Sequence, residues 1–280
     1  MLNIGARAHD YCTSGIADTA RTISSYNFSR IQLALTKSIK GFDGKPGVIT
    51  PGFSVFVRNT LAAENISIAV LGCYINNLAQ PDSPKRKVSF EFFKDHLQYA
   101  KDLGASLVGT ETGSVGTDGS IDYDNHSDKA LRVAIESIAE LVATAEKCGS
   151  IVGVEAVTTH VVNSPVRMKK VLDEIDSRNL KVIFDPVNVI DETNYMQQEK
   201  IIDSAFELFG EKIAIIHSKD FKIENGKMVT VPTGKGLLNY KYLLGILKKS
   251  KPHIDVLLEN SIPETSHECV KFLSSIYESI

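Results

Sequence analysis

Four short apolar runs in the second half of the chain each end on a side chain that can bind a cation. They are Gly-Val-Glu ending on Glu155, Val-Ile-Phe-Asp on Asp185, Ala-Ile-Ile-His on His217 and Val-Leu-Leu-Glu on Glu259. Such runs read as strands buried on both faces, where a charge is costly and needs a reason. Taken singly, each residue fits a strand-end cap, a surface charge or a hydrogen-bonded loop partner equally well. Their recurrence on four successive strands is the informative feature. If the strand ends converge, three carboxylates repel one another unless a cation sits among them. An oxygen-rich set with one imidazole suits Mn²⁺, Mg²⁺ or Co²⁺ better than a structural zinc, and it leaves coordination positions open for substrate or water.

Bringing those side chains together requires a frame of repeated strands and helices. Short apolar, β-rich runs alternate with longer segments of helical period along the chain, which is the pattern of βα units and a parallel sheet. Strands are expected near Leu2–Ala8, Arg30–Leu35, Ser67–Tyr74, Ser106–Thr110, Ile151–Val157, Lys181–Phe184, Ile213–His217 and Asp255–Glu259. Helical stretches include Val88–Leu103, Ser127–Lys147, Pro165–Ile175, Gln197–Phe209, Tyr240–Lys249 and a last one near Thr265–Tyr277. Gly104 and Gly149 stand where C-caps belong, and Ser164-Pro165 supplies an N-cap followed by an N1 proline. The expectation is α/β: one (β/α)8 TIM barrel domain over residues 1–280, whose strand ends meet at one mouth. An open doubly wound sheet gives a similar string until strand order is known.

Composition narrows the partners. With 280 residues and 43% hydrophobic side chains the chain can bury a large core, and a net charge of −3 with scattered lysines offers no general attraction to nucleic acid or anionic lipid. Cys12, Cys73, Cys148 and Cys269 lie far apart without a CxxC pair, as expected of thiols in a reducing compartment. The opening residues lack the pattern of a signal peptide, and no apolar stretch reaches membrane-spanning length, so a cytoplasmic location is expected. The expected partner is a small molecule, and a homo-oligomer is compatible with everything above.

Other candidates carry weaker signals. Lys219 follows His217 by two positions, where it either neutralises a substrate oxygen or is a solvated rim lysine. His9, Gln32 and Glu111 stand at or near early strand ends and are candidate pocket residues, His9 being equally suited to a structural hydrogen bond. Thr233-Gly-Lys-Gly236 could cradle an anion through backbone N–H groups, or form a turn at the mouth; it lacks P-loop spacing. His96, His126, His253 and His267 fall on helices or loops and are expected to face solvent.

The order Glu, Asp, His, Glu on the last four strands is set among Phe-Asp-Pro-Val-Asn, His-Ser-Lys-Asp and Gly-Lys-Gly-Leu-Leu-Asn-Tyr. Together they resemble the xylose isomerase-like barrel superfamily, specifically its sugar phosphate isomerase/epimerase group, along essentially the whole chain. Gly109-Thr-Glu-Thr-Gly113 and Gly72-Cys-Tyr-Ile-Asn76 are similar to loops lining the sugar pocket there, which brings in Glu111 and Asn76 as substrate contacts. The resemblance implies that Glu155, Asp185, His217 and Glu259 bind a catalytic divalent ion and that the two glutamates flank a carbohydrate substrate. It further implies that Glu155 and Glu259 exchange a proton with the substrate through an enediolate. Ketose 3-epimerases of the group often carry a substrate-contacting histidine three residues after the aspartate; this chain has Asn188 there, which the resemblance makes a candidate substrate contact. The tri-zinc DNA repair endonucleases of the superfamily need an Asp-x-His pair after the seventh strand, and residues 219–235 contain no histidine. Two activities follow from the resemblance: an isomerase or epimerase acting on a sugar, keto-polyol or sugar phosphate, and a lyase such as an inosose dehydratase. A non-catalytic sugar-binding barrel is the third reading, against which an unused carboxylate cluster would cost stability.

Overall fold

The computed structural model describes residues 2–74, 78–80, 83–116 and 122–280. Among the described residues ten strands run in chain order: β1 Asn3–Arg7, β2 Arg30–Leu33, β3 Ser67–Gly72, β4 Ala105–Glu111, β5 Val152–Glu155, β6 Leu180–Phe184, β7 Ile213–Ser218, β8 Asp220–Glu224, β9 Lys227–Val231 and β10 Asp255–Leu258. Eight of them close a parallel barrel in the order β1-β10-β7-β6-β5-β4-β3-β2. This closure excludes the open doubly wound sheet. The helices are α1 Ile16–Ser25, α2 Leu35–Ser38, α3 Pro51–Ala63, α4 Pro84–Leu103, α5 Asp128–Cys148, α6 Pro165–Ile175, α7 Gln198–Phe209, α8 Tyr240–Ser250 and α9 Pro263–Ser279.

The helix ends follow local chemistry. Ser83, Ser127 and Ser164 accept hydrogen bonds from the backbone N–H three residues on, opening α4, α5 and α6. Gly104 and Gly149 end α4 and α5 at φ 73° and 65°, a backbone region that costs glycine little. α4 starts at Pro84 rather than Val88, because the Ser83 cap and the N1 proline extend it upstream. α1 and α3 lie outside the helical stretches read from the sequence. α1 is rich in serine and threonine, and α3 leaves Val55 and Phe56 exposed, so its apolar residues do not trace one face.

A two-stranded antiparallel hairpin, β8–β9, is inserted between β7 and α8. Its two-residue turn is Asn225-Gly226, both at positive φ (51° and 75°), which is the turn that matches strand twist. That dipeptide was the available signal for the hairpin.

The space inside the barrel is packed. Ala69, Val70, Leu107, Ile183, Ile215 and Leu257 form an interior cluster separate from the layer between strands and helices. Glycines make room for it: a Cβ on Gly153 would lie 2.7 Å from Leu107 Cδ1 and 3.2 Å from Ile183 Cγ1. Cys12, Cys73, Cys148 and Cys269 form no disulfide among the described residues. No helix among the described residues is long and apolar enough to cross a membrane. His96 departs from expectation: it is 1% exposed, contacts Phe92 O through Nδ1 at 2.9 Å and packs edge-on against the Phe92 ring, so α4 turns it into the core. His126, His253 and His267 are exposed, as expected.

Candidate functional site

Side chains alternate along a strand, so the inward face continues every second residue. On β5, β6, β7 and β10 the inward series runs Gly153 to Glu155, Ile183 to Asp185, Ile215 to His217 and Leu257 to Glu259. The second member of each pair lies at the C-terminal end of its strand, where a barrel gathers its functional groups. One ligand-type atom from each of Glu155, Asp185, His217 and Glu259 lies within 4.8 Å of the others. Donors on opposite sides of one divalent ion, with bonds of about 2 Å, stand about 4 Å apart, so this spacing fits an ion.

Hydrogen bonds set which atoms face inward. Asp185 Oδ1 accepts from Val187 N at 2.8 Å, which turns Oδ2 toward the cluster. Asn188 Nδ2 donates to Glu155 Oε1 at 2.6 Å, leaving Oε2 at 3.2 Å from His217 Nδ1. That approach lacks hydrogen-bond alignment, and both His217 ring nitrogens are buried without a hydrogen-bond partner among the described residues, while Asp185 Oδ2 is buried with only the Lys219 ammonium against it. Buried orphaned donors and acceptors of this kind are what a cation site provides. Glu259 is held at both oxygens: Arg7 Nη1 donates to Oε1 at 2.6 Å and Lys219 Nζ to Oε2 at 2.6 Å. Lys219 Nζ also lies 3.0 Å from Asp185 Oδ2. Arg7, at the end of β1, further binds both Asp10 oxygens through Nε and reaches Asn260 Oδ1 through Nη2.

The electrostatics follow from this crowding. Burial pulls the His217 imidazolium down, but Glu155, Glu259 and Asp185 outweigh it and push His217 up to about 9. Burial and the neighbouring glutamates raise Asp185 against the pull of Lys219. For Glu259, burial acts upward, yet Lys219, His217 and Arg7 hold the carboxyl well below the usual range. Glu111, level with Glu155 in the β4–β5 ladder, is pushed up to about 7 by burial and by Glu155 and Glu259. Burial holds Lys219 back, but its three carboxylate neighbours raise it, so it is a fixed cation.

The remaining candidates fall around this cluster. Lys219 is buried inside it rather than solvated at the rim. Glu111 Oε2 faces His160 Nδ1 at 3.7 Å. His9 Nδ1 is buried without a hydrogen-bond partner among the described residues, and burial together with Arg7 lowers its basicity to about 4. Asn188 lies beside the cluster with one N–H on Glu155, and Gln32 is buried in the barrel wall. Asn76 lies outside the described residues. The Thr233–Gly236 turn faces an anion from its own chain: the Asp220 carboxylate accepts from Gly234 N and Gly236 N in the turn and from Phe221 N and Leu238 N beside it. Those N–H groups are therefore not presented to a ligand. Sequence reasoning missed Arg7 and did not single out Tyr74 within the Gly72–Asn76 loop; the Tyr74 hydroxyl is buried near Glu155, Glu111 and Glu259 without a hydrogen-bond partner among the described residues. The signal for Arg7 was its position two residues after Gly5, on the inward face of β1.

The sequence matches the xylose isomerase-like TIM barrel family over residues 26–275, so the chain belongs to that family. Similar solved structures include a D-tagatose 3-epimerase-like protein at 17% identity and TM-score 0.77, with 99% of each chain covered. A D-psicose 3-epimerase with D-tagatose from Clostridium cellulolyticum H10 aligns at 14% identity and TM-score 0.71, again over 99% of each chain. An IOLI protein with a bound zinc atom aligns at 16% identity and TM-score 0.73, over 99% of this chain and 97% of that one. At such identities the likeness establishes the fold. No curated protein sequence matches the chain.

Proposed function

We propose that this xylose isomerase-like TIM barrel is a divalent-metal-dependent isomerase or epimerase that moves a proton on a carbohydrate: a sugar, keto-polyol or sugar phosphate. The observation that carries the reading is the convergence of Glu155, Asp185, His217 and Glu259 within 4.8 Å at four neighbouring strand ends. These four residues would hold Mn²⁺, Mg²⁺ or Co²⁺. A bound ion would supply Lewis acidity toward a carbonyl and its neighbouring hydroxyl.

The chain's own groups do the rest. Glu155 and Glu259 take up and return the proton at the carbon between those oxygens, each from its own side. Asn188 fixes the Glu155 carboxylate, and Arg7 with Lys219 fixes that of Glu259. Lys219 would donate to a substrate oxygen, and Asn188 would offer its remaining polar atoms to the substrate. His9, Glu111 and Asn76 are the proposed contacts for the remaining hydroxyls. Burial of Glu155, Asp185 and His217, each 1% exposed, keeps bulk water from the reacting carbon.

The test is incubation of Mn²⁺-, Mg²⁺- or Co²⁺-loaded protein in D₂O with a panel of ketoses, inososes and sugar phosphates. Deuterium at carbon without loss of water is expected. A dehydrated product would make the protein a lyase, and no exchange with any metal and substrate would overturn the reading.

A further inference from the structure

Lys219 reaches the same oxygens that the proposed metal site uses. Its ammonium lies 3.0 Å from Asp185 Oδ2, the oxygen left unclaimed by the Val187 N–H, and 2.6 Å from Glu259 Oε2. It is 7% exposed, so these contacts are made with little competition from water. Three carboxylates are thus balanced from within the fold by Lys219 and, on the far oxygen of Glu259, by Arg7.

We infer that Lys219 is a built-in counter-ion that competes with the divalent ion for Asp185 and Glu259 and sets the affinity of the site below what its ligands alone would give. The inference rests on the metal-binding reading above. Two effects have the same sign. A fixed positive charge a few ångströms from a divalent ion repels it, and lone pairs engaged by the ammonium must be shared or released before they coordinate. Without the ammonium, the carboxylates repel one another until a cation enters, so the protein lacking metal is destabilised relative to the loaded one. If Lys219 served instead to aim the two carboxylates at the ion, its removal would weaken binding. The two roles therefore predict opposite changes.

The experiment uses the full chain stripped with chelator and titrated with Mn²⁺, following free Mn²⁺ by its electron paramagnetic resonance signal. Lys219→Met removes the charge while keeping the stem. It should bind Mn²⁺ at least about tenfold more tightly than wild type, as expected for loss of a like charge in a buried site. Lys219→Arg, which keeps the charge, should stay near wild type. The rise in melting temperature on adding Mn²⁺ should be larger for Lys219→Met than for wild type, a readout that holds even if the stripped variant is partly unfolded. Equal or weaker binding by Lys219→Met, with wild type binding normally, overturns the counter-ion role and leaves the metal site standing. Absence of Mn²⁺ binding by both proteins overturns both.

Discussion

The inside of the barrel has two levels built from the same strands. In the lower level Gly153, Ile183, Ile215 and Leu257 belong to a close-packed apolar floor together with Leu107 and Val70. Two residues further along each strand the level above holds Glu155, Asp185, His217 and Glu259, with Lys219 and Arg7 among them. Backbone geometry is shared, so the step along the strand alone separates a layer that stabilises the fold from one that strains it. The floor gains from burial and fixes the strand ends. The upper layer buries like charges and is tolerable because counter-charges, and in our reading a divalent ion, lie among them.

The largest effect expected from breaking this contrast is on catalysis. Glu155→Gln keeps size and one carbonyl oxygen but cannot take a proton as a carboxylate, so turnover at matched metal occupancy should fall by roughly 10²–10⁴-fold. Its melting temperature should not fall, since one repelling charge is gone. Full activity at matched occupancy would show that this carboxylate is not the base. The same substitution at Glu259 should be as damaging, and isotope exchange tested separately on each epimer reveals which face each glutamate serves.

One level down the pattern should reverse. Ile183→Ala removes packing from the floor and should cost about 2–5 kcal/mol in denaturant unfolding, while Mn²⁺ stoichiometry stays unchanged. If metal binding is lost at temperatures where this variant is still folded, the two levels are not separable.

A third, smaller effect belongs to neither level. His96 is buried against Phe92, and burial lowers its basicity to about 4 from an ordinary 6.5. The unfolded chain therefore binds a proton that the folded one does not between those values. Stability is fully present above pH 6.5 and declines as pH falls toward 4, by roughly 3 kcal/mol from this group. Unfolding curves at pH 7, 5.5 and 4 should show a shallower decline for His96→Leu than for wild type. Parallel declines would place the acid sensitivity in the carboxylate cluster instead.

The upper level was legible in the sequence because each ligand interrupts an apolar run on an inward position, a conflict between burial and charge that a single strand displays on its own. The order of those strands around the barrel came with the (β/α)8 expectation, which the closed barrel bears out, and not from any one segment. Arg7 was missed because Gly-Ala before it gives no bulky apolar run for the charge to interrupt; its meaning depends on Glu259, 252 residues away. His96 misled for the converse reason: the helical face it occupies is decided by packing against the barrel. The Asp220 carboxylate inside the Thr233–Gly236 turn shows the same limit, a glycine-rich loop whose ligand is a residue of its own chain.

The central claim, that four strand-end side chains hold one divalent ion, is tested most directly by metal content. Protein loaded with Mn²⁺ and freed of excess should retain about one equivalent, as expected for a single site of this ligand count. His217→Ala should retain the circular dichroism of the fold and lose most of that metal, because its ligand is removed from the functional rather than the stabilising end of the barrel. Equal Mn²⁺ content in wild type and His217→Ala would contradict the assignment.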